Sequence, residues 1–188
     1  PMATRKHDDQ TAEDRIDIVL LENHIFYLYD EIEADNIAKC IKWLTYENVD
    51  KKEKTLTIYI NSGGGDLYQA FALIDVMRNS SHPIRTVGVG SIMSAAFLIF
   101  CAGTKGERYI ATNTSAMCHQ FSDNIESKYH DFKSAVKEAD ICNQKMIQIL
   151  RDATGMTATT VKQKLLPASD VFLTAQELVD LNIADHIL

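Results

Sequence analysis

This sequence predicts an α/β fold built on a mostly parallel sheet, on three observations. Two β-branched runs, residues 56–60 and 84–89, each lead through a short glycine-containing turn into an apolar run with helical character. Strand-like and helix-like segments then keep alternating, the order that produces crossover connections and parallel pairing. Finally, 188 residues that are 46% hydrophobic, with no repeat, low-complexity tract or long linker, suffice for one sizeable core.

Taken in order, residues 16–20 and 25–29 read as strands. Residues 34–46 read as a helix, because Ile37, Cys40, Ile41 and Leu44 fall on one face. The strand 56–60 is followed by a helix over 66–79, with Leu67, Ala70, Phe71, Ile74 and Met77 on its apolar face. The strand 84–89 precedes a short apolar helix over 94–102, and residues 108–111 and 115–118 read as short strands. A long helix over 131–153 carries Phe132, Ala135, Ala139, Cys142, Met146 and Ile149 at helical spacing and is stopped by Gly155. Residues 157–165 and 175–180 read as shorter helices, the second opened by a capping box of Thr174 and Glu177. Residues 1–15 are polar and read as a flexible segment ahead of a single domain over 16–188; Pro1, ahead of Met2, reads as a cloning remnant.

Composition narrows the function classes. A net charge of −7 and the lack of a basic cluster with interleaved aromatics argue against nucleic acid as a partner. No stretch approaches the roughly 20 apolar residues of a membrane span. Cys40, Cys101, Cys118 and Cys142 have no close pairing, so they read as buried thiols of a reducing compartment, without disulfides or a metal site. A cytoplasmic location, or an equivalent stroma or matrix, is therefore expected.

Three segments carry residues suited to acyl transfer. Ser94 sits where the strand 84–89 gives way to an apolar helix, a junction that exposes a hydroxyl beside free backbone N–H groups. The plain alternative is a helix N-cap serine. Asn61-Ser62-Gly63-Gly64-Gly65-Asp66 ends a strand in a turn whose amides can approach a ligand closely, a candidate oxyanion cradle. Its spacing is not that of a dinucleotide-binding loop, and no phosphate-binding lysine follows. His119 closes the short strand 115–118 and is a candidate general base; a lone histidine is more often structural. Cys118, its neighbour, points to the opposite face if the strand alternates. Asp170 precedes the Thr174–Glu177 box and alone reads as a solvated loop carboxylate.

In this order and with these separations, the motifs resemble the proteolytic subunit of the Clp protease (ClpP), serine peptidases on a crotonase-like fold of repeated β-β-α units with a protruding handle helix. Asn61-Ser62-Gly63-Gly64-Gly65 resembles the family's N-S-P-G-G turn, and Gly90-Ser91-Ile92-Met93-Ser94 its nucleophile motif. Met117-Cys118-His119-Gln120 resembles its M-I-H-Q motif and Asp170-Val171-Phe172-Leu173-Thr174-Ala175 its aspartate motif. The resemblance implies a triad of Ser94, His119 and Asp170, with backbone N–H donors from Gly65 and Ala95 for the oxyanion. It also implies substrate pairing along Gly64, Asp66 and Leu67. Beyond the site, it implies heptameric rings stacked as a tetradecamer, peptide or unfolded protein as substrate, and a partner AAA+ unfoldase that alone uses ATP. Tyr59 and Tyr68 are candidates for the unfoldase docking pocket, with ordinary packing as the alternative.

The sequence also departs from that pattern. Gly63 replaces the turn's proline, and bulky Ile92 and Met93 precede the nucleophile where small residues are usual. Ala95 and Ala96 stand where methionine and glycine are common, and no glycine follows His119 through residues 121–130. Two other readings stay open: a catalytically silent subunit of a mixed ring, and an acyl-CoA hydratase of the same fold, which would have no use for Ser94, His119 and Asp170 together.

Overall fold

A computed structural model of the chain describes residues 11–50, 52–122 and 129–188, with side chains from residue 133 onward in the last stretch. The described chain begins with α1 (Ala12–Glu22), β1 (Ile25–Tyr29), α2 (Ala34–Glu47), β2 (Leu56–Ser62) and α3 (Leu67–Arg78). It continues through β3 (Ile84–Met93), α4 (Ala95–Cys101), β4 (Arg108–Ile110) and β5 (Ser115–Cys118). The last elements are α5 (Tyr129–Thr154), α6 (Ala158–Lys164), β6 (Val171–Leu173), α7 (Ala175–Asp180) and β7 (His186–Ile187).

One expected element changes type. Residues 16–20 were expected as a strand and lie inside α1. Thr11 decides this: its hydroxyl accepts the Asp14 N–H at 3.1 Å, and the Asp14 carboxylate accepts the Thr11 N–H at 2.9 Å. That reciprocal cap starts a helix before the alternating Ile16-Asp17-Ile18 pattern can act. The expected division at residue 16 therefore falls within a helix, and residues 1–10 lie outside the described set. Two short strands, β6 and β7, were not expected.

Among the described residues the sheet has seven strands, with β1-β2-β3-β4-β7 as its continuous path and all of these pairs parallel. β3 is longer than its neighbours and serves two of them in turn. Thr86–Gly88 pairs with β4, and Ser91–Met93 pairs in parallel with β5. β6 then adds antiparallel to β5. The helices α2, α3 and α4 cover one face over a core that includes Leu28, Ile58, Ile60, Leu73 and Phe97, each fully buried. The other face carries a row at one register level, Tyr27, Tyr59, Val87, Tyr109 and His186. Tyr27 and Tyr59 stack there at 4.9 Å, and Tyr27 is 44% exposed.

The C-terminus is tied to the sheet by a buried cation. Arg108 is 2% exposed and donates Nε to Asp185 Oδ2 at 2.9 Å and Nη2 to Oδ1 at 2.7 Å. Its Nη1 donates to the Ala153 carbonyl at 3.0 Å, and Asp185 Oδ2 also accepts the N–H groups of Gly106 and Arg108. Burial raises the Asp185 carboxyl, but the Arg108 guanidinium and the backbone donors outweigh it and hold its pKa below the ordinary value. A depressed carboxylate contributes stability above its unfolded pKa of about 4 and loses it as pH falls through the folded value. Asp185→Ala leaves Arg108 buried and unpaired, and is expected to cost about 3–5 kcal/mol in urea unfolding at fixed protein concentration. Asp185→Asn should flatten the loss of stability on acidification; an unchanged acid limb would show that the clamp titrates elsewhere.

Candidate active site

Ser94 makes the whole connection between β3 and α4. Its backbone has φ 54° and ψ −121°, outside the regions a non-glycine residue normally occupies. Such a conformation costs about 1–3 kcal/mol and persists only where the surroundings impose it. Here the Ser94 N–H donates to the Met117 carbonyl of β5 at 2.9 Å, while α4 is buried throughout. Upstream, β3 bends at Gly90, where φ is +68°, and the β2–β3 ladder is irregular. Asn61 fills that gap, its Oδ1 accepting the Ser91 N–H at 3.1 Å. A Cβ on residue 90 would lie 2.7 Å from the same Oδ1, so glycine and asparagine are matched.

The Ser94 side chain makes no capping hydrogen bond to α4. Its Oγ lies instead 2.7 Å from His119 Nε2, so the N-cap reading of this serine does not hold. In the tautomer whose Nε2 carries no proton, the hydroxyl is the donor of this bond. His119 is half-buried at the end of β5, and Cys118 faces the core at 1% exposure, as alternation requires. Burial pushes the Cys118 thiol up to about 12 and raises Cys40, Cys101 and Cys142 as well. All four thiols are free and buried. Among the described residues, no group of His, Cys, Asp and Glu is placed to hold a metal ion.

The glycine turn lies directly against Ser94. A Cβ on Gly64, which has φ +107°, would sit 2.7 Å from Ser94 Cβ and 2.9 Å from the Met93 carbonyl. Gly64 accepts the Ile32 N–H and Asp66 donates to the Ile32 carbonyl, both at 2.7 Å. This single parallel bridge turns the polar groups of Gly65 to the other side. Among the described residues no acceptor pairs with the N–H of Gly65 or of Ala95, and both residues line one cleft of about 340 Å³ with Ser94 and His119. Asp66 and Leu67 also line it, although the Asp66 carboxylate is engaged as the cap of α3. Gly64 has both main-chain groups occupied, the N–H by Ser62 Oγ at 3.2 Å.

Asp170 is less closely gathered. β5 pairs Cys118 with Val171, so His119 and Asp170 are one register step further on. Asp170 is nonetheless exposed, and no hydrogen bond or ion pair joins it to His119 among the described residues. Gln120 and Phe121, just beyond His119, are held from elsewhere. Gln120 Nε2 donates to the Leu166 carbonyl at 2.9 Å, and the Phe121 N–H to Asn143 Oδ1 of α5 at 3.3 Å. Of the two tyrosines considered for docking, Tyr59 lies on the open sheet face, whereas Tyr68 lines the cleft. Met146 in the cleft wall and Asn143 behind Phe121 were not anticipated, because α5 reaches this region only through tertiary packing, and Tyr68 of α3 was considered only for docking or packing. Gly64→Ala is expected to leave secondary structure intact by circular dichroism while lowering covalent labelling of Ser94 by a fluorophosphonate at least tenfold. Full labelling would mean the turn does not fix the serine.

Comparison with known proteins agrees with this geometry. A family model described as Clp protease matches residues 7–188. The chain is 30% identical over 168 residues to ATP-dependent Clp protease proteolytic subunit 1 of Leifsonia xyli, covering 89% of this chain and 84% of that protein. It is 27% identical to proteolytic subunit 2 of Thermobifida fusca (90% and 82% covered) and 28% identical to subunit 1 of Rhodopirellula baltica (90% and 74% covered). With a match over nearly its whole length, the chain belongs to the Clp protease family of serine-type peptidases.

Proposed function

We propose that the chain is the peptide-hydrolysing subunit of a ring-shaped, self-compartmentalised serine protease. The observation that carries this reading is the 2.7 Å contact between Ser94 Oγ and His119 Nε2 beside two backbone donors that are unpaired among the described residues. Ser94 Oγ attacks the scissile carbonyl carbon, and its proton passes to His119 Nε2. The carbonyl oxygen becomes an oxyanion and accepts the N–H groups of Gly65 and Ala95, a class of contact worth about a hundredfold or more in rate per donor. His119 then gives its proton to the departing amine. Water, deprotonated by the same nitrogen, releases the acyl group and restores the serine. Asp170 orients the imidazole once His119 and Asp170, the next residues beyond the β5–β6 pairing, come within hydrogen-bond distance; such hydrogen bonds are often long before substrate is present.

Several surfaces support assembly. No residue of α1 is buried, and Ile16 and Val19 are 59% and 54% exposed, which leaves apolar side chains for another subunit to cover. The relatives' names, ATP-dependent proteolytic subunits, support a partner ATPase. The aromatic row with Tyr59 offers such a partner a surface, and ATP chemistry then belongs to the partner. Heptameric rings stacked in pairs are the assembly this reading takes.

One observation favours a second reading. The absence, among the described residues, of a hydrogen bond or ion pair between Asp170 and His119 is also what a catalytically silent subunit of a mixed ring would show. Intact-mass analysis after fluorophosphonate treatment separates the two. A single adduct on wild type and none on Ser94→Ala supports the peptidase, while no adduct on assembled wild type supports the silent subunit. In the active case, Ser94→Ala should lower peptide hydrolysis by about ten-thousandfold or more, and Asp170→Asn by a similar order. Activity per subunit should also fall on dilution through ring dissociation; a flat profile down to the monomer would uncouple assembly from Asp170 closure.

A further inference from the structure

Tyr68 stands out among the groups that the mechanism leaves unused. It is the second residue of α3, three positions after Gly65, and its own N–H is held by Asp66 Oδ1 at 2.8 Å. Its side chain is 49% exposed and lines the cleft with Leu67, Leu98 and Met146. A half-exposed tyrosine at a cleft wall would ordinarily sample several rotamers. This one is tethered: its hydroxyl donates to Glu138 Oε1 at 3.1 Å, with the Cys142 thiol 3.9 Å away. Glu138, Cys142 and Met146 succeed one another at four-residue steps, so one stripe of α5 supplies both the tether and the buried floor of the recess. Burial, with Cys142 and Glu138 adding to it, raises the phenol to about 12, so it stays a donor across the working pH range.

We infer that Tyr68, held by Glu138, is the specificity-determining wall of the side-chain recess beside Ser94, admitting aliphatic residues on the acyl side of the scissile bond and excluding aromatic ones. The inference rests on the Ser94 peptidase reading and deepens it. A cleft of about 340 Å³ is at the small end of ligand sites, and it must also hold substrate main chain across Ser94. Leu98 and Met146 close its floor at 1% and 4% exposure, whereas Tyr68, 49% exposed, is a wall that removal of the ring would open toward solvent. An untethered ring would swing into the recess or out of it and blur the limit.

The test uses the assembled full-length protein and a peptide series that differs only in the residue preceding the cleaved bond: Ala, Leu, Met, Phe and Trp. Rates are normalised to the fraction of Ser94 that a fluorophosphonate labels. Wild type is expected to prefer Leu over Trp by about tenfold or more in kcat/KM. Tyr68→Ala should shift that ratio about tenfold toward Trp, mainly through KM. Tyr68→Phe and Glu138→Ala should each shift it part of the way, and the double variant no further than either, because both remove one bond. Glu138→Gln keeps an acceptor and should keep the wild-type ratio. An unchanged ratio in Tyr68→Ala with Ser94 labelled overturns this inference alone, and equal shifts in Glu138→Gln and Glu138→Ala overturn the tether. A wild type that takes no label and cleaves nothing overturns the Ser94 reading, and this inference with it.

Discussion

The site depends on one backbone constraint: β3 passes into α4 through a single residue, Ser94, held at positive φ. No local preference favours that conformation in a residue with a Cβ. It is imposed from three sides. The Met117 carbonyl takes its N–H, Gly64 packs on its Cβ, and the buried α4 fixes the direction in which the chain must leave. The same constraint frees the side chain from helix capping and aims Oγ at His119, while leaving the Ala95 N–H unpaired. Strain, nucleophile and donor are thus consequences of one junction.

β3 gives the junction its position. Its first half lies in the main sheet beside β4, and its second half, past the Gly90 bend, runs beside β5. Ser94 and His119 therefore end neighbouring parallel strands. Their side chains meet because Met93 pairs with Met117, which brings both strand ends to one level. α5 works from the opposite side, holding Phe121 through Asn143 and Tyr68 through Glu138. Both flanks of the cleft are thereby referred to one helix.

Much of this was legible in the sequence where period and punctuation agreed. β1, β5 and α7 have the expected limits, because alternation or a capping box bounds them. The family was legible from motif order, and Ser94 with His119 only through that resemblance, since neither residue pairs with the other on local pattern alone. α1 was misread because an alternating Ile16-Asp17-Ile18 run suggests a strand, and the Thr11–Asp14 cap outweighed it. β6 and β7 were missed because strands of three and two residues carry no period of their own and form only where a partner edge waits. In the sequence Tyr68 reads as a docking-pocket candidate or ordinary packing and not as a wall of the cleft, because a tyrosine beside a glycine turn gives no sign of which distant helix will meet it. The relation of Asp170 to His119 depends on how closely two strand ends approach, a distance no motif spacing encodes.

The bridge between Ile32 and Gly65 links the site to local opening of the fold. Its two hydrogen bonds, Ile32 N–H to Gly64 and Asp66 N–H to Ile32, orient the Gly65 donor from the β1–α2 connection. Ile32 is 1% exposed, so its bridge to the glycine turn is broken when that connection lifts from the core. The donor is thus lost not by gradual loosening but in the same event that exposes Ile32. In hydrogen exchange the two amides would report, in one protection factor, the free energy that keeps the oxyanion cradle assembled.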